Sequence, residues 1–217
     1  MFKLYTFSAY FSRENYIWTK ENLAPSSKMY IMKIMILIAG LGNPEKKYSH
    51  TPHNLGFNAI DAFKEKFNFP DFILEKNGLV SRKGNVILLK PQTYMNNSGK
   101  AVKEIKDFYK IEDENVWVVH DENELPLGEI KVSVNKGDGG HNGIKSIIEM
   151  LHSKDFVRFR IGINTCQKED LMEYVLRPFS KENQEIADEA VFQIVSALDE
   201  SIKNGVEKAM NTFNQKI

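Results

Sequence analysis

His53 stands in Tyr48-Ser49-His50-Thr51-Pro52-His53-Asn54, shortly after Gly40-Leu41-Gly42-Asn43-Pro44. Imidazole is the side chain whose ordinary pKa lies nearest physiological pH. Presented at the end of a sheet, it can take a proton and return it. Three further polar clusters offer partners: Tyr94-Met95-Asn96-Asn97-Ser98, His120-Asp121, and Gly137-Asp138-Gly139-Gly140-His141-Asn142-Gly143. Asp121 can accept from an imidazole Nδ1–H, fix the tautomer and stabilise the imidazolium as it forms. Asn43, Asn96 and Asn142 supply neutral amides suited to a carbonyl or a developing oxyanion. A purely local reading stays open, with Asp121 in a turn and the asparagines as capping or left-handed residues. As chemistry, a base with an acid and amides but no obvious nucleophile points to hydrolysis by an activated water.

Other site chemistries fail on spacing. Gly40-x-Gly42 begins like a dinucleotide fingerprint, but Glu45 stands where the third glycine belongs and Pro44 interrupts the turn. Gly143-Ile144-Lys145-Ser146 lacks the glycine spacing of a P-loop, and neither Ser98 nor Ser146 lies in a nucleophile elbow. His50 and His53 have a spacing that suits a metal only on a helix, and Pro52 disfavours helical geometry at the residue before it. No metal and no cofactor is therefore expected.

These clusters need strands and helices to carry them. Ile34 to Ala39 is nearly continuous apolar, as in a strand covered on both faces. Phe57, Ile60, Phe63 and Phe67 predict a helix over 56–67. Phe72–Ser81 and Val86–Lys90 read as strands about a turn at Lys83-Gly84-Asn85. Ser98 can cap a helix whose Val102, Ile105 and Phe108 face inward. Val116–Val119 reads as a buried strand ending at His120-Asp121, and Ile130–Val134 and Phe156–Asn164 alternate as strands do. Ile144, Ile147, Ile148 and Leu151 mark a further helix, and a long final one begins near Lys181 and carries Val191 through Val206. Interleaved strands and helices imply one α/β domain, with a twisted, mixed, mostly parallel sheet flanked by helices. Ligands then bind beyond the carboxyl ends of its strands, where the four polar clusters fall.

Composition narrows the class. Lys and Arg total 29, Asp and Glu 29, so a partner held mainly through phosphates is mildly disfavoured. Yet Lys131, Lys136, Lys145, Lys154, Arg158 and Arg160 share one stretch, either a solvated face or a nucleic-acid-facing patch. No apolar run reaches the roughly 18 residues of a membrane span. The single cysteine, Cys166, excludes an internal disulfide framework, fits a reducing cytoplasm, and reads as a buried small residue. Residues 1–32 lack a sustained period and form an N-terminal extension, expected to be poorly ordered or non-essential, ahead of a domain at 33–217.

Gly40-Leu41-Gly42-Asn43-Pro44, Tyr48, Thr51-x-His53-Asn54-x-Gly56, Lys90-Pro91-x-Thr93-Tyr94-Met95-Asn96-x-Ser98-Gly99, His120-Asp121-Glu122, Leu125-Pro126-x-Gly128, Gly139-Gly140-His141-Asn142-Gly143 and Phe159-Arg160-Ile161-Gly162-Ile163 occur in this order. In order and spacing they resemble the bacterial peptidyl-tRNA hydrolase family, from about Lys33 to the C-terminal helix. The resemblance implies cleavage of the ester between a peptide and the terminal ribose of tRNA, by a single-domain cytoplasmic monomer without metal or cofactor. It further implies His53 as the general base and Asp121 as the group that keeps it basic. Tyr48, Tyr94, Asn96 and Asn142 are implied to contact the peptidyl-tRNA end, and Asn43 to tell a blocked amine from a free one. An RNA-binding module of the same fold without catalysis is the alternative, and a metal-dependent hydrolase a more distant one.

Three positions depart from the family pattern. Pro52 stands where arginine is usual, Asn123 where an apolar residue is common, and Ser133 where a basic residue often accompanies Lys131. The last removes half of a basic pair associated with tRNA phosphates, for which Lys131, Lys136 or Arg158 can compensate.

Overall fold

The computed structural model describes residues 16–18, 31–165 and 170–215. Cys166 and most of the N-terminal extension lie outside the described residues. The chain divides into two compact units, 1–34 and 35–217. In the first, β1 (Tyr16–Trp18) and β2 (Ile31–Lys33) pair antiparallel, with Tyr16 opposite Lys33.

The second unit is an α/β domain. Its strands are β3 (Ile36–Gly40), β4 (Ile73–Glu75), β5 (Gly78–Lys83), β6 (Val86–Pro91), β7 (Val116–Pro126), β8 (Ile130–Val134) and β9 (Val157–Asn164). They form one sheet in the order β4-β5-β6-β3-β7-β9-β8. The central β6, β3, β7 and β9 run parallel, and antiparallel partners flank them.

Alternation along the buried strands feeds two cores. Ile36, Ile38, Trp117 and Val119 face the side covered by α1 (Leu55–Lys66) and α5 (Lys181–Asn204). Leu37, Ala39, Val116 and Val118 face the side covered by α2 (Ser98–Tyr109) and α3 (Asn142–Leu151). A strand buried on both faces needs apolar residues at every position, and β3 is buried throughout.

Four expectations are corrected. The strand expected over 72–81 is a hairpin, β4 and β5, turning at Lys76-Asn77 with Lys76 at φ 53°. The strand expected to end at Val119 continues to Pro126, with a register shift against β9 between Glu122 and Pro126. Ser98 is not the cap of α2, because its Oγ donates to Met95 O, and Phe108 at the helix end is 57% exposed. The final helix stops at Gly205, φ 93°, and Val206 opens α6 (Val206–Phe213).

The topology places the site. The chain leaves β3 toward β6 on one side and then crosses through α2 to β7 on the other, so a crevice opens beyond the ends of β3, β6 and β7. β3 last pairs with β7 at Gly40–Val119. Beyond that register β7 has only β9 beside it, so His120, Asp121 and Glu122 border the crevice.

Candidate active site

Thr51, in extended geometry at φ −98° and ψ 153°, leads into a 3₁₀ turn over Pro52–Asn54, where Pro52 supplies the fixed φ that starts a helical turn. The turn is held from several directions. His53 N donates to Val175 O at 3.1 Å, and Thr51 Oγ1 donates to Tyr48 O at 2.8 Å. Asn54 grips the loop after β3 at two points, accepting from Asn43 N at 2.9 Å and donating through Nδ2 to Asn43 O at 3.0 Å. Behind it, a Cβ at Gly56 would meet the backbone of Leu41 and Val119, so glycine alone lets the start of α1 sit this close to the sheet.

His53 Nδ1 lies 3.0 and 2.9 Å from the two carboxylate oxygens of Asp121. Asp121 also receives His141 Nε2 on Oδ1 at 2.9 Å. His141 is the N-cap of α3, its Nδ1 accepting from Gly143 N at 3.1 Å and Ile144 N at 3.3 Å. A nitrogen that accepts two backbone N–H groups carries no proton, so the ring proton of His141 sits on Nε2 and is donated to Asp121. The carboxylate thus lies between two imidazoles, whose centroids are 5.1 Å apart. His120 packs edge-on to His141 at 4.9 Å, and its Nδ1–H donates to Asp121 O at 2.6 Å.

Charge follows from burial and pairing. Burial opposes ionisation of Asp121, but the two imidazoles overcome it and hold its pKa well below the usual carboxylate range. Burial likewise pushes the His53 pKa down, and the Asp121 charge and hydrogen bond outweigh it, so the net shift is upward. Burial, with His141 alongside, drives the pKa of His120 far below its ordinary value and leaves that ring neutral. His53, Asp121 and His141 place potential ligand atoms within 4.8 Å of one another. The donor set does not fit an ion, because Nδ1 of His141 is occupied by the helix amides and Nε2 bears the proton.

Around this centre lies a cavity of about 560 Å³, within the size range of small-ligand sites. His53, Asp121, Asn43, Tyr48, Tyr94, Asn96 and Asn142, all singled out from the sequence, line it together. Asn43 Oδ1 accepts from Met95 N at 3.0 Å, which orients the amide and leaves its NH₂ to donate. Tyr94 Oη donates to Glu45 at 2.6 Å across the mouth. The opposite wall is apolar, from Ile163, Leu171, Met172, Val175 and Leu176 around the short helix α4 (Leu171–Tyr174).

Sequence reasoning missed the role of His141 and the grip of Asn54. Both had a signal, a histidine immediately before a helix that a glycine-rich loop opens and an asparagine beside the base. Arg158, named as able to replace a missing surface cation, is 2% exposed, with Nη1 donating to Gly137 O. Lys131 and Lys136 are exposed.

Residues 37–217 match the family described as peptidyl-tRNA hydrolase. A peptidyl-tRNA hydrolase of Caldanaerobacter subterraneus subsp. tengcongensis is 46% identical over 184 residues, covering 83% of this chain and 100% of its own. One from Clostridium perfringens is 42% identical over 186 residues, covering 83% and 97%. The crystal structure of peptidyl-tRNA hydrolase from Acinetobacter baumannii superposes with a TM-score of 0.77 at 33% identity, covering 83% of this chain and 94% of that one.

Proposed function

This chain belongs to the peptidyl-tRNA hydrolase family and hydrolyses peptidyl-tRNA, and from that premise we propose that His53 activates the attacking water with Asp121 as its orienting partner. The observation that carries the assignment is the bond of His53 Nδ1 to both oxygens of Asp121. It leaves Nε2 as the basic nitrogen of a cavity-lining ring. Nε2 takes a proton from water as the water oxygen attacks the ester carbonyl. The tetrahedral oxyanion collapses, the bond to the ribose oxygen breaks, and the imidazolium returns its proton to that oxygen. Asp121 stays ionised and stabilises the imidazolium.

Asn96 and Asn142 offer donors to the ester and its oxyanion, and Tyr48 and Tyr94 flank the acceptor end. Asn43, its carbonyl spent on Met95 N, presents an amide donor that suits the neutral carbonyl of a blocked amine better than a cationic free amine. The apolar wall suits peptide side chains. Binding without catalysis would not require a buried base with two-point orientation, so the non-catalytic alternative is set aside. A cytoplasmic monomer accords with the family and with the single cysteine. Among the described residues no helix is long and apolar enough to cross a membrane.

The test is release of the acyl group from N-blocked against unblocked aminoacyl-tRNA. Rapid release from the blocked form alone is expected, and equal rates on both would overturn the role given to Asn43. We also propose that residues 1–32 are dispensable, because every residue assigned a role lies beyond them. Removing them should leave turnover and melting temperature unchanged, and a truncated protein that loses activity while folded would overturn this.

A further inference from the structure

Asp121 Oδ1 is shared. It accepts from His53 Nδ1 at 3.0 Å and from His141 Nε2 at 2.9 Å, while Oδ2 faces His53 alone. His141 is in turn fixed by the first amides of α3, so the first turn of a ten-residue helix is tied to the carboxylate through one imidazole. A carboxylate that accepts a second N–H, at the positive end of a helix, is a weaker acceptor toward the first. We propose that His141 is a positioning residue that tunes the basicity of His53 through Asp121, drawing on Oδ1 so that the carboxylate holds the His53 proton less strongly than an unshared one would. The proposal rests on the assignment of His53 as the base.

The groups around His53 are consistent with this route. Asp121 and Glu122 come from β7, His141 from the head of α3, and Tyr48, Tyr94 and Glu124 from around the cavity. Glu122 is paired with Arg160 at 3.4 Å, and Tyr94 with Glu45. His120 lies behind His141, with Arg158 near enough to act on its charge. Among the described residues, Asp121 alone makes contact with both imidazoles through its carboxylate.

Two substitutions separate tuning from simple helix capping. Asparagine is a good N-cap, so His141→Asn retains an oxygen for the amides of Gly143 and Ile144 but ends short of Asp121. His141→Ala loses both contacts. The readouts are the acid limb of kcat/KM on blocked aminoacyl-tRNA and the NMR titration midpoint of the His53 ring. Both should rise by roughly half to one pH unit in each variant, because Asp121 then acts more fully on His53. Only His141→Ala should also show a lowered melting temperature. On an Asp121→Asn background, His141→Asn should barely move the His53 midpoint. A midpoint that is unchanged or lowered in His141→Asn would overturn the proposal and leave His141 as a cap. Wild type carries an independent test should the variants fail to fold: ¹⁵N shifts must place the His141 proton on Nε2, and an Nδ1–H tautomer would overturn the proposal. Full activity of His53→Ala would remove the base assignment instead, and the NMR response of His53 to residue 141 would still be read separately.

Discussion

Two buried polar regions lie on neighbouring strands of the sheet and are built to opposite rules. In the proposed catalytic centre, His53 Nδ1, both oxygens of Asp121 and both ring nitrogens of His141 all have partners. Along the β8–β9 edge, Lys131 pairs with Arg160 and Ser133 with Arg158 in register. There Ser133 Oγ, Arg158 Nε and Nη2 and Arg160 Nε are buried without a partner among the described residues. Burial, with Arg160 close by, pulls the Arg158 pKa below the usual guanidinium value. The paired relay of His53, Asp121 and His141 is rigid and fixes protonation states, although Nε2 of the neighbouring His120 has no partner among the described residues. The several unpaired donors of the edge instead leave unsatisfied capacity and add little to stability. The first region suits proton transfer, and the second does not specify its own geometry.

The sharpest way to break the comparison is to remove the proposed base. His53→Ala should lower turnover by about two to four powers of ten, the usual range for losing a general base. The fold should survive, because the side chain bonds only to Asp121 among the described residues. Near wild-type hydrolysis of blocked aminoacyl-tRNA by a folded variant would return His53 to the role of a turn residue.

A smaller loss is expected from Asp121→Asn, which disturbs orientation and tautomer but leaves the imidazole in place. Its pH signature is distinctive. Asp121 raises the His53 pKa, so without its charge the pKa falls and the acid limb of activity moves to lower pH. Stability should change its pH dependence as well. The depressed pKa of Asp121 contributes stability that is fully present above the ordinary carboxylate range and is lost as pH falls from that range through the lower pKa of the folded state. Acid unfolding followed by circular dichroism should therefore be less steep in the variant. An acid limb that stays put would show that Asp121 does not set the basicity of His53.

How far the sequence revealed this contrast depends on what each residue type can signal. The His53 turn was legible because proline, asparagine and glycine at fixed spacing leave few backbone options, and the seven chosen residues do share one cavity. Positions 72–81 misled because the apolar residues on either side read as one run. Glu75-Lys76-Asn77-Gly78 is poor in strand formers and Asn77-Gly78 is a turn dipeptide, so the break had a signal, and only the positive φ of Lys76 had none. The reach of β7 to Pro126 was hidden, since Glu122, Asn123 and Glu124 read as loop, and the strand is carried past them by the pairing of Glu122 with Gly162 and of Pro126 with Asn164 on β9. Phe108 looked apolar and inward, but the end of α2 extends past the core. Nothing local marks Arg158 as buried, because its burial depends on the loop that passes over it and accepts its Nη1–H at Gly137.

Arg158 offers the next test. A partly paired buried guanidinium is weak support for a fold, and replacing it by a flexible apolar chain of similar length is often neutral or stabilising. Arg158→Met should shift stability by less than about 1 kcal/mol, or raise it. Thermal melts read this directly. A loss of several kcal/mol would show that the edge is as tightly organised as the centre.

The smallest expected effect concerns how the same edge meets tRNA. Ser133 occupies a position where the family tends to carry a cation, and it is buried beside Arg158. Lys131, two residues along the same face of β8, is exposed and remains able to reach a phosphate. Each phosphate contact releases counterions, so Lys131→Ala should weaken tRNA binding and flatten the plot of log affinity against log salt by about 0.7 to 0.9. Turnover at saturating substrate should hold, since the lysine lies outside the catalytic cavity. Ser133→Lys tests the same edge from the other direction. A lysine there can run its stem along the strand and place its ammonium in solvent, clear of the Arg158 guanidinium. If it does, binding tightens and the slope steepens by a similar amount. Small ester substrates without a tRNA body should respond to neither change, because both act on phosphates and not on the ester. A Lys131→Ala slope equal to wild type would mean that the β8 edge faces away from the bound tRNA.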